Sequence, residues 1–441
     1  MEMEGKSMSK QKAKKTLSFI EALSIVVGVI IGSGIFLKPS IVLADAGTPI
    51  AAIVAWIAGG IIALASALTI AEIASAIPRT GGLYTYLEEL YGEPVGYLLG
   101  WVQTIVSYPA SLAALAIAFA TYANVFFPMS EWGQKFLAFG ILGFVVLVNI
   151  ISTKFGGVIQ TIATIGKLIP IIAIMGFGFL SGGELNLAST EVSTMTGFGA
   201  AILGTLWAYD GWIGVTNLAG ELKNPGKLLP KVISIGIVFV IAVYALFNIV
   251  MFKVLPYETI VSSATPGTEV AVKLFGEAGG VLITAGIMIS VFGALNGYLM
   301  TAARVPQAMG EKGQLPFGKV LGARYSKTQT PANALIMQGI LTMIYILSGS
   351  FNALTDMVIF VLWIFFTLGV IGVFVMRKKR PELKGSYNVP LYPIVPLVGI
   401  CGSMYILIST IISSPKNSLV GIGLTLIGLP VYFYTKKKRE K

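Results

Sequence analysis

Histidine is absent from this 441-residue chain, and cysteine occurs once, as Cys401. The first absence removes imidazole catalysis and histidine-ligated metals; the second removes any disulfide within the chain. Charge is scarce as well. Asp, Glu, Lys and Arg make up 12% of residues, against roughly 25% in soluble globular domains, while 55% are hydrophobic and mean hydropathy is +0.84. Nucleophile–base pairs, metal-ligand clusters and phosphate-binding loops are not found, so no enzymatic activity, metal or cofactor is expected. Alternating strands of about ten residues, the mark of a membrane β-barrel, are missing too.

What the chain has instead is a series of unbroken apolar runs of about 20 residues between short charged loops, enough to cross a bilayer as helices. Its 51 glycines and 20 prolines suit that environment, where glycine allows close packing and proline kinks. The predicted class is an all-α polytopic membrane protein of twelve spans. They lie near 20–40, 50–73, 95–126, 135–151, 157–180, 198–219, 230–253, 279–303, 332–348, 353–376, 393–413 and 418–435. Residues 1–15 are charged and the first run is long, with no small-residue cleavage site, so no removable signal peptide is expected.

With the amino terminus placed inside, all but six of the 31 lysines and arginines fall on the cytoplasmic side. Lys38, Lys135, Lys253, Lys273 and Lys416 fall on the opposite face, and Lys167 falls inside a span. That asymmetry satisfies the positive-inside rule and predicts two cytoplasmic termini. It also accounts for the net charge of +11 through anionic lipid, without nucleic acid as a partner. The runs Arg377–Arg380 and Lys436–Arg439 read as topology anchors.

Two apolar segments are interrupted by glycine-containing breaks, Gly32-Ser33-Gly34-Ile35-Phe36 and Trp207-Ala208-Tyr209-Asp210-Gly211-Trp212. They occupy spans 1 and 6, which cross in opposite directions. This predicts a five-plus-five inverted repeat within one transmembrane domain: residues 1–18 as a tail, 19–180 and 198–376 as the repeats, and 393–435 as two added spans. Non-helical backbone at membrane depth survives only around a cavity that satisfies it. The free N–H groups of Ser33, Gly34 and Ile35 suit a carboxylate, and the carbonyls of Ile30, Trp207 and Asp210 suit an ammonium. Two structural alternatives stand beside this. Gly28 and Gly32 form a G-x-x-x-G pair that serves helix packing, and Asp210 is a good cap for a restarting helix.

Lys167 lies about eleven residues into span 5, about 16 Å deep at 1.5 Å per residue, beyond easy snorkelling. An ammonium there, beside the first break, can stand where a coupling sodium ion would sit, reaching the Gly28 carbonyl and Ser290 of span 8. Gln103, Tyr108, Pro109 and Trp212 are candidate walls of a side-chain pocket, or simply packing. Glu72 and Arg79 flank the inner end of span 2 and form a possible gate pair, or face water.

Together, Gly28–Phe36, Glu72 with Pro78-Arg79-Thr80-Gly81-Gly82-Leu83-Tyr84-Thr85-Tyr86, Gly166-Lys167-Leu168-Ile169-Pro170, Ala208–Trp212 and Lys223-Asn224-Pro225 carry a resemblance over nearly the whole chain. It resembles the L-amino acid transporter family of the amino acid-polyamine-organocation superfamily, in particular its bacterial serine/threonine and alanine-serine-cysteine exchangers. The resemblance implies a leucine-transporter-like fold with helices 1 and 6 unwound, in a bacterial cytoplasmic membrane. It further implies sodium-independent exchange of small neutral L-amino acids such as alanine, serine, threonine and cysteine. Animal relatives carry a cysteine between spans 3 and 4 that joins a glycoprotein subunit; Phe127–Lys135 has none, so no disulfide-linked heavy subunit is expected. A proton-coupled symporter using Glu72, Asp210 or Lys167, and a non-transporting amino acid sensor, are the alternative functions.

Overall fold

The computed structural model describes residues 19–77, 82–151, 166–182, 184, 185, 187, 194–213, 225–325, 330–383 and 385–440. Every ordered element among them is helical. The first broken span comprises α1 (Phe19–Ile30), α2 (Gly34–Leu37) and α3 (Pro39–Ala46), with a 65° bend before Pro39. Span 2 is α4 (Pro49–Ala76), followed by α5 (Gly82–Tyr91). Span 3 is α6 (Glu93–Val102), a π-helical turn (Gln103–Ser107) and α7 (Tyr108–Ala123). Spans 4 to 6 are α8 (Glu131–Ile151), α9 (Leu168–Leu180) and α10 (Met195–Tyr209).

Span 7 is α11 (Pro225–Val254), and the short α12 (Tyr257–Ser262) leads to span 8, α13 (Pro266–Ala302), which is interrupted at Gly276. Then come α14 (Arg304–Glu311) and α15 (Gly318–Leu321), span 9 as α16 (Ala332–Ser348), and span 10 as α17 (Phe351–Lys379). Span 11 is α18 (Ile394–Ser413), and span 12 is α19 (Pro415–Leu426) with α20 (Gly428–Arg439). Among the described residues eight helices are long and apolar enough to cross a membrane, nine with the bent first span, and α9 and α16 are shorter apolar helices. The chain is an all-α polytopic membrane protein.

Lipid-facing positions remain apolar and exposed, as at Phe144, Ile169 and Leu347, because hydrocarbon gives no reason to hide them. The protein-facing stripes are built on small residues. A Cβ on Gly59 would meet Thr205 Oγ1 at 2.1 Å, so α4 and α10 pack nearly backbone to backbone. Around α4 gather α10, α11, α17 and α18; around α7 gather α8, α13, α16 and α17. The two groups meet along α17.

Span 3 shows how backbone chemistry survives in this solvent. Pro109 has no N–H to give Ile105, and the π-helical turn before it loosens the ladder. The Ile105 carbonyl accepts the Tyr345 hydroxyl at 3.0 Å, and the Thr104 carbonyl accepts the Gln338 amide at 2.9 Å. Span 9 thus repairs span 3. Gln103, Tyr108 and Pro109 are, in this respect, the site of a backbone irregularity held by a neighbouring helix.

Candidate functional site

Both breaks are present, displaced from their expected bounds. The first lies at Ile31–Ser33, and Gly34 to Leu37 is helical again. The second begins at Asp210: Trp207, Ala208 and Tyr209, expected inside it, form the last turn of α10. Nothing in Trp-Ala-Tyr opposes a helix, whereas Gly211 adopts φ +107°, a left-handed region open to glycine and closed to ordinary residues. Residues 214–224, where this span would resume, lie outside the described residues, and with them the helix start that Asp210 was expected to cap.

The breaks touch each other. A Cβ on Gly34 would stand 2.5 Å from the Ala208 Cα, so Gly34 supplies the close approach between the breaks, whereas a Cβ on Gly32 would meet the Ile30 carbonyl only at 3.8 Å. At the first break the Phe36 and Leu37 amides bond to the Ser33 carbonyl, which leaves the amides of Ser33, Gly34 and Ile35 as first-turn donors of α2. All three residues are buried.

The carbonyls are less free than expected. Tyr244 of α11 brings its hydroxyl to 2.9 Å from both the Ile30 and Ala208 carbonyls, one proton between two acceptors on two broken helices. The Gly32 amide donates to the same hydroxyl oxygen. The Trp207 carbonyl accepts the Asp210 amide at 3.3 Å. Each carbonyl keeps a second lone pair, so an ammonium would share these groups with the protein. Tyr244 is pinned by an edge contact with Trp56 and a tilted ring contact with Tyr209, and the Tyr209 hydroxyl donates to the Trp56 carbonyl at 2.9 Å.

Asp210 Oδ2 accepts the Tyr298 hydroxyl at 2.5 Å, and the Gly211 amide donates to the same carboxylate. Tyr298, on α13, meets the Tyr108 ring edge-on at 6.4 Å. Trp212 is buried against Trp363 and Phe366 of α17. The Lys167 ammonium donates to the Gly28 carbonyl, in the last turn before the first break, with Lys167 only 7% exposed. Ser290 is buried but takes no part: its hydroxyl has no partner among the described residues.

Glu72 forms a bidentate pair with Arg377 of α17, both contacts at 2.8 Å, and accepts the Val389 amide at 2.6 Å. Arg79 lies outside the described residues. A cavity of about 410 Å³ lies near Asn149, Arg304, Gln307 and Arg324, and no break residue lines it.

Tyr244 and Tyr298 escaped the reading of the sequence. Each is a hydroxyl deep in an apolar span, which is a signal, but 17 tyrosines diluted it.

Comparison with known proteins settles the lineage, since residues 17–433 match the family described as amino acid permease. The chain belongs to that family. Its members are transporters rather than enzymes. The permease is 44% identical over 433 residues to a protein named serine/threonine exchanger SteT of Bacillus subtilis (strain 168), covering 97% of this chain and 98% of the relative. It is 35% identical over 438 residues to the b(0,+)-type amino acid transporter 1 of Mus musculus, covering 95% and 88%. It is 31% identical over 436 residues to the large neutral amino acids transporter small subunit 2 of Mus musculus, covering 95% and 81%.

Proposed function

We propose that this permease exchanges small neutral L-amino acids, independently of sodium, across a bacterial cytoplasmic membrane with both termini inside. The observation that carries the reading is the Lys167 ammonium on the Gly28 carbonyl, directly behind the donor-bearing break. A fixed charge there replaces an ion that would otherwise have to bind and leave with the substrate. The amides of Ser33, Gly34 and Ile35 hold the carboxylate. The carbonyls of Ile30, Trp207 and Asp210, shared with Tyr244 and the local turn, hold the amine. Names such as serine/threonine exchanger among the relatives support the substrate class. The arginines and lysines gathered at one end of the spans support the orientation. Alternating access then follows from motion of spans 1 and 6 within a five-plus-five inverted repeat.

The test is uptake of labelled serine by proteoliposomes. Internal unlabelled serine or threonine should accelerate uptake, equally in sodium and choline buffers. Equal uptake into empty vesicles would sink exchange; dependence on sodium would sink the role given to Lys167.

A further inference from the structure

Lys38 was expected on the face opposite the basic termini. Its side chain is completely buried, among the largest with no exposure. It sits at the bend between α2 and α3, on the outer half of the first broken span. Its ammonium donates to Thr355 Oγ1 at 2.7 Å, lies 3.4 Å from Asp356 Oδ1, and stands 5.3 Å over the Phe351 ring. Phe351 in turn meets Trp207 of the second broken span edge-on at 6.2 Å. Asp45 is close enough to interact electrostatically with both Lys38 and Asp356. The neighbouring Phe36 carbonyl is tied to span 3 by the Tyr122 hydroxyl at 2.9 Å.

Thr355, Asp356 and Phe351 open α17, and Arg377, which holds Glu72, closes it. At 1.5 Å per residue the Lys38 group and the Glu72–Arg377 pair are about 32 Å apart, one at each membrane interface. One helix therefore carries a charged tie at either end.

We infer that Lys38, Thr355 and Asp356 form the latch that closes the outer side of the substrate path. The inference rests on the orientation proposed above. The latch joins the half-helix presenting the carboxylate donors to span 10, so water cannot reach those donors from outside until Lys38 leaves Thr355 and Asp356. A lysine is a costly way merely to fill space. It has three N–H groups, one of which is matched by a hydroxyl and one by a long contact to a carboxylate that is 25% exposed. The group makes sense where one state keeps it dry and the other hydrates it. Opening then gains hydration for the ammonium and loses the contacts to span 10, leaving the two states close in free energy.

This predicts opposite effects from two substitutions. Asp356→Asn removes the carboxylate in contact with the buried Lys38 and leaves only the electrostatic influence of Asp45, so the latch opens more often. Lys38→Met fills the same space without the gain from hydration, so the latch stays shut. The reporter is Ser40→Cys, two residues beyond Lys38 and 6% exposed, in a Cys401→Ser background. It is labelled in proteoliposomes by a membrane-impermeant maleimide applied from either face.

Outside labelling should rise about tenfold in Asp356→Asn and in Thr355→Val, which keeps the shape but removes the acceptor, and fall about tenfold in Lys38→Met. Size-exclusion profiles restrict the comparison to variants that fold. Equal rates in all folded variants, from both faces, overturn the latch. The same rank order seen only from the opposite face upholds the latch and overturns the orientation.

Discussion

At the residue scale the site is held together by the Tyr244 hydroxyl and the Lys167 ammonium, which donate to main-chain carbonyls beside the breaks. Tyr244 binds both breaks at once, so Tyr244→Phe removes one donor from two buried acceptors. Leaving a buried carbonyl unmatched costs about 1–3 kcal/mol, and exchange should slow about 5- to 100-fold with the protein still inserted. Steady-state uptake of labelled serine in proteoliposomes measures this; unchanged kinetics would assign Tyr244 to packing alone. Lys167→Ala removes the charge behind the first break while leaving span 5 apolar. Exchange should drop severely while membrane yield and size-exclusion profile stay intact, as a transport assay beside quantitative blotting would record. Lys167 was legible because a lone charge deep in an apolar run is rare. Tyr244 was not, because its hydroxyl matters only through what it faces.

At the scale of elements, the two broken helices depend on contact as well as on unwinding. Gly34→Ala would drive a methyl group to 2.5 Å from the Ala208 backbone. Overpacking of that kind costs about 1–3 kcal/mol, and here it would force spans 1 and 6 apart. Gly423→Ala, in α19 with nothing within 4 Å of the added methyl, is the matched control. Thermal stability followed by fluorescence-detected size exclusion should fall for the first and hold for the second. The positions of the breaks were readable from glycine and polar residues; their limits were not. Asp210-Gly211 interrupts the second helix, and Trp207 to Tyr209 carries no local reason to leave it. The π-helical turn of span 3 was likewise hidden, since it is held by Gln338 and Tyr345 of a distant span, which donate hydrogen bonds to the freed carbonyls.

At the scale of the whole molecule, α17 acts as a strut tied to α4 by Glu72–Arg377 at one end and to the first broken span by Lys38 at the other. Glu72→Gln keeps the shape but leaves Arg377, whose side chain is 33% exposed, without its carboxylate partner. Partial exposure softens the loss, so stability should fall by about 1–3 kcal/mol rather than the 3–5 kcal/mol seen when a fully buried pair is broken. A lowered melting temperature in detergent, with labelling of the Ser40→Cys reporter unchanged from outside, would separate this tie from the outer latch.

The order of residues by itself determined the helical class, the long apolar spans found among the described residues and the existence of the two breaks. These follow from hydrophobic length and glycine placement, both of them local or additive properties. Only the tertiary structure decided the partners: Arg377 for Glu72, Tyr298 for Asp210, Tyr244 for the break carbonyls, and a dry cage for Lys38. A hydrogen bond between residues 86 or 317 positions apart leaves no periodicity in the chain. Such a bond exists because helices distant in sequence bring their freed polar groups together where lipid offers none.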